Sequence, residues 1–154
     1  MHLCAVAVNS SGRKGSLWIQ DDSDSPVVIS LHTQSNPYFQ CIERILQYMK
    51  NSQWQQDEIE IHIDNLYVYN VLQHYITQWA QQSWHTSKNE IVKDVHILRC
   101  IYSLLKEFKN LHFKTLSGSF AKNDMALQSA KTGFHDTTNQ EPSSHVFDNT
   151  KESE

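Results

Sequence analysis

Residues 58–82 read EIEIHIDNLYVYNVLQHYITQWAQQ, and within them the spacing of apolar residues changes from two to nearly four. Ile59, Ile61 and Ile63 alternate with Glu58, Glu60 and His62, the pattern of a strand buried on one face. Leu66, Val68, Val71, Leu72, Tyr75 and Trp79 then recur at helical steps, so the spacing predicts a helix from Asn65 onward. A single carboxylate, Asp64, stands at the junction. A strand that turns directly into a helix is the building unit of a sheet with parallel neighbours, which points to an α/β fold.

Toward the N-terminus three short β-favouring runs follow one another: LCAVAVNSS (3–11), GSLWIQ (15–20) closed by DDSDSP, and VVISLHT (27–33). Such strands with short connections form an antiparallel meander. NPYFQCIERILQYMKNSQWQ (36–55) changes period. Phe39, Ile42, Ile45, Leu46 and Met49 lie on one helical face, and Asn36-Pro37 supplies a cap and a first-turn proline. Toward the C-terminus, VHILRCIYSLLKEFK (95–109) is a helix, LHFKTLSG (111–118) a strand, and KNDMALQSAKTG (122–133) a small helix with Gly133 at the position of a C-terminal cap. The order is β-β-β-α-β-α-α-β-α. Residues 1–133 form one domain, and the polar, acidic stretch 134–154 is expected to be a disordered tail.

The composition excludes several classes. With 154 residues and 39% hydrophobic, the chain fills one core. Residues 1–131 carry 12 Lys/Arg against 12 Asp/Glu, and the remainder 1 against 5. A near-neutral domain has no strong sequence-independent grip on phosphates. Cys4, Cys41 and Cys100 are odd in number and far apart, so neither a disulfide framework nor a zinc site follows. The nine histidines lack ligand spacing. No apolar run is long enough for a membrane span, and a cytoplasmic, reduced protein is expected.

At this level of detail the sequence resembles the bacterial type 1 ribonuclease H family. IDNLYVYNVLQHYITQW resembles the family's fourth strand, its aspartate and the following helix, and WHTSKNEIVKDV resembles W-x-T-x-x-x-x-x-V-K-N-x-D. LSGSFAKNDMALQSA resembles the closing V-x-G-H…G-N-x-x-A-D-x-L-A with a shortened loop. The resemblance covers residues 1 to about 133. It implies a ribonuclease-H-like mixed five-stranded sheet flanked by helices. It also implies hydrolysis of RNA in RNA:DNA hybrids by two magnesium ions, which demand several converging carboxylates.

Matched residue by residue, that set is eroded. The first-strand aspartate is replaced by Asn9, the first-helix glutamate by Gln40 and the last-helix aspartate by Leu127; Asp64 alone matches. Glu43 and Asp124 are candidate substitutes, one helical turn from Gln40 and Leu127, and Asp64 itself also suits a helix cap. The family's basic protrusion is here the largely neutral QWAQQSW, which keeps Trp79 and Trp84, and Ser119 takes the place of the loop histidine. Asn36 matches a minor-groove asparagine and Thr86 falls in the protrusion segment. The resemblance therefore implies a domain without hydrolysis and without a cofactor. It would bind an RNA:DNA hybrid, another nucleic acid or a protein, weakly in the nucleic-acid case. The alternative is a divergent Mg²⁺- or Mn²⁺-dependent ribonuclease H built on Asp64, Asp124 and Glu43.

Overall fold

The three N-terminal runs form β1 (His2–Val8), β2 (Lys14–Gln20) and β3 (Val27–His32). They pair antiparallel in chain order, with Cys4 opposite Ile19 and Leu17 opposite Ile29. On the other side of β1, β4 (Glu58–Ile63) and β5 (Asn110–Thr115) add in parallel, Val6 beside Ile63 and Ile63 beside Thr115. The strand order is β3-β2-β1-β4-β5, a mixed five-stranded sheet as expected. The computed structural model describes residues 2–9, 11–20, 26–32, 36–116 and 119–134, so the expected tail lies outside the described residues apart from Phe134.

Parallel neighbours need crossovers, and helices supply them. In α1 (Pro37–Asn51) the cap Asn36 accepts the Tyr38 N–H at 2.9 Å, and Phe39, Ile42, Ile45, Leu46 and Met49 are buried. Leu98, Ile101 and Leu104 of α4 (Val95–Leu105) are buried too, and α4 packs along α1. These helices cover the sheet face bearing Cys4, Val6, Leu17, Ile19, Ile59, Ile61 and Ile63. Alternation sends Ala5, Ala7 and Trp18 to the opposite face. There they meet Ala126, Leu127 and Ala130 of α6 (Met125–Lys131), which follows the single turn α5 (Ser119–Lys122).

Two expectations are corrected. The stretch after β4 is not one regular helix but α2 (Leu66–Asn70), a π-helical turn (Val71–Tyr75) and α3 (Ile76–Gln81). The wider turn rotates everything after it. Buried positions fall at Val68, Val71, Leu72 and Ile76, while Tyr75 and Leu66, read as part of the apolar face, are 41% and 65% exposed. Gly133 is likewise not a left-handed cap. It lies in a 3-10 turn (Thr132–Phe134), and a methyl group on it would collide with the Ser16 and Ser30 hydroxyls. Its absence of a side chain serves close approach to the sheet.

Candidate functional site

The parallel register of β1 and β4 brings Asn9 and Asp64 to the same end of the sheet, each just past its strand. Asp64 is a meeting point of three elements. From α1, the Tyr38 hydroxyl donates to its Oδ1 at 3.3 Å, and from the last residue of α6, Lys131 Nζ stands 3.7 Å from its Oδ2. Burial, and next the Asp64 charge, push the Tyr38 phenol up to about 12, so it remains a hydrogen-bond donor at any physiological pH. The carboxylate keeps 24% of its side-chain surface exposed and already faces an ammonium. It does not cap α2: that role belongs to Asn65, whose Oδ1 accepts the Val68 N–H at 2.9 Å.

The other positions of the expected carboxylate set serve the fold. Asn9 Oδ1 accepts from the Ser11 hydroxyl at 3.0 Å and from the Arg13 and Lys14 N–H groups at 3.3 and 3.2 Å, closing the β1–β2 hairpin. Gln40 is half-buried in the first turn of α1. Leu127 is fully buried in the small core under α6. Asp124 caps α6, its Oδ1 accepting the Leu127 N–H at 3.1 Å, while its Oδ2 lies 2.5 Å from His62 Nδ1. Glu43 is half-buried on α1. Among the described residues no three or more His, Cys, Asp or Glu side chains are placed to hold a metal ion, so Asp64, Asp124 and Glu43 are not gathered.

Residues expected to face nucleic acid are partly engaged in packing. Asn36 spends its side-chain oxygen on the α1 cap. Trp79 is half-buried against the large core, its ring 5.7 Å from Tyr75; Trp84 is half-buried as well, edge-on to Tyr102 at 5.8 Å. Thr86 Oγ1 accepts from the Lys88 and Glu90 N–H groups and shapes the connection before α4. Neither tryptophan is fully buried, and Tyr75 beside Trp79 is 41% exposed.

Sequence reasoning missed the polar chain along β4. His62 is buried between two carboxylates, its Nε2 2.7 Å from Glu60 Oε1 and its Nδ1 against Asp124. Alternation had marked Glu60 and His62 only as the face opposite the isoleucines, and nothing local tied either to residue 124. Lys131 and Tyr38 carried no signal at all.

No protein-family model and no curated protein matches the sequence. Solved structures do match in fold. The solution structure of the PFV RNase H domain has a TM-score of 0.61 at 10% identity, over 87% of this chain and 93% of that one. RNase H1 from the halophilic archaeon Halobacterium salinarum NRC-1 has a TM-score of 0.53 at 12% identity, over 88% and 97%. A foamy viral protease-reverse transcriptase in complex with an RNA/DNA hybrid has a TM-score of 0.61 at 12% identity; 86% of this chain is covered, which spans 19% of that one.

Proposed function

Taking as premise that the chain has the ribonuclease-H-like fold, we propose that this domain binds nucleic acid, an RNA:DNA hybrid first, without hydrolysing it. One observation carries the reading: Asp64, the single carboxylate in the expected place, is paired with Lys131 and Tyr38. Two divalent ions side by side need several carboxylate oxygens. Here the Asn9 oxygen is held by its hairpin, Leu127 offers no donor, and a dication approaching Asp64 meets an ammonium. The donor set does not fit a pair of Mg²⁺ or Mn²⁺ ions. Binding is supported by the structural likeness to foamy viral protease-reverse transcriptases in complex with RNA/DNA hybrid and with dsDNA. Trp79, Trp84 and Asn36 are the residues proposed to contact it.

The test pairs a cleavage assay with a mobility shift on the same hybrid. The expected result is no cleavage in Mg²⁺ or Mn²⁺ and a weak shift at low salt that declines only gradually as salt is raised, because few phosphate contacts release few counterions. Cleavage that vanishes in Asp64→Asn overturns the silent reading. Absence of any shift at low salt moves the function to a protein partner.

A further inference from the structure

The last helix is short, and two of its three buried side chains are alanines. Apolar burial scales with area, so such a helix gains little from its core side and depends more on polar ties. They exist at both ends. At its start Asp124 reaches His62; at its end Lys131 reaches Asp64. His62 is the penultimate residue of β4 and Asp64 stands just past its end, so both links tie the helix to the same end of one strand. The two links have opposite polarity, carboxylate of the helix to imidazole of the strand, then ammonium of the helix to carboxylate. An acid at the N-cap and a base in the last turn also suit the helix dipole. Between them the Ser16 hydroxyl donates to the Ala130 carbonyl at 2.6 Å, and just beyond the helix that of Ser30 donates to the Gly133 carbonyl at 3.0 Å.

We propose that the ammonium of Lys131 is the resident cation at Asp64: a charge supplied by the protein stands where the fold's relatives are expected to place a divalent ion, and it fastens α6 to the end of β4. The inference rests on the reading of the site as metal-free and deepens it, because it names what neutralises the remaining carboxylate. The Tyr38 hydroxyl completes the arrangement from α1, so one carboxylate joins α1, β4 and α6. A side chain in this place is tethered through the backbone, so the charge is at hand whether or not the medium holds divalent ions. The domain's stability is consequently independent of divalent ions, and Asp64 is closed to them as long as Lys131 is present.

The test is thermal unfolding of the full chain in EDTA and in millimolar MnCl₂, because a ion that binds only the folded state raises its midpoint. For the native chain the two midpoints coincide. Lys131→Met keeps the aliphatic stem and removes the charge; it lowers the midpoint by a few degrees and creates a Mn²⁺-dependent rise that Lys131→Met/Asp64→Asn lacks. The exchanged pair Asp64→Lys/Lys131→Asp recovers part of the loss. Should Lys131→Met not fold, the native chain alone decides by paramagnetic broadening. Unbroadened amide resonances of residues 62–66 in Mn²⁺ support the inference, and selective broadening there sinks it. A native midpoint that climbs with Mn²⁺ and stops climbing in Asp64→Asn also overturns it, as does a Lys131→Met protein indistinguishable from native. Hybrid binding is scored separately: its absence removes the proposed function and leaves the Lys131 result standing.

Discussion

Leu127 and Gly133 show how much a single side chain decides here. Leu127 occupies the position at which a fourth carboxylate was expected, yet it is wholly enclosed by Ala5, Ala7 and Trp18 with its helix. Restoring Leu127→Asp does not restore a ligand. It buries an unpaired charge and is expected to cost about 3 kcal/mol or more, against less than about 1.5 kcal/mol for Leu127→Met, whose volume is conserved. Denaturant melts of the two variants check this, and equal midpoints would refute it. At Gly133 an added methyl meets the Ser16 and Ser30 hydroxyls and Val28. Gly133→Ala should destabilise by about 1–3 kcal/mol through overpacking. The sequence marked this glycine as special but for the wrong reason, since a C-terminal cap and a close backbone approach both call for glycine and leave the same letter.

Among the elements, the π-turn at Val71–Tyr75 separates what periodicity predicts from what forms. Leu72 and Ile76 are inside while Tyr75 faces solvent. Truncation therefore distinguishes a slipped helix from a regular one: Ile76→Ala is expected to cost about 2–4 kcal/mol, and Tyr75→Ala only about 0.5 kcal/mol. Reversal of that order by urea unfolding would mean the helix is regular. Elsewhere periodicity sufficed. The alternation of β4 and the three- and four-residue steps of α1 identify their apolar faces, though not the burial of His62 or Cys41, because both follow from backbone geometry that any chain shares. A one-residue insertion in the helical ladder is set by what packs beneath it, which lies far away in sequence.

For the whole molecule, two buried thiols and one half-buried phenol make a pH prediction. Burial pushes the Cys4 and Cys41 thiols up to about 12, as it does the Tyr38 phenol, from ordinary values of 9.0 and 10.0. Each holds its proton more tightly folded than unfolded, so its contribution is complete below the ordinary value and is lost as pH rises toward the folded one. The thermal midpoint should stay level from neutral pH to about 9 and then fall steeply toward about 12; Cys41→Ala should blunt the fall, and an unchanged profile in that variant would count against burial as its cause. On the same scale stands the division between sequence and structure. By itself the sequence determined the order of the strands and main helices and the apolar faces of α1 and β4, because periodicity is local. Only the tertiary structure decided that Lys131 meets Asp64 and that His62 meets Asp124 and Glu60. The two longer links depend on where the last helix crosses the sheet, and its course is fixed by packing and close backbone approach rather than by any pattern near the residues it joins.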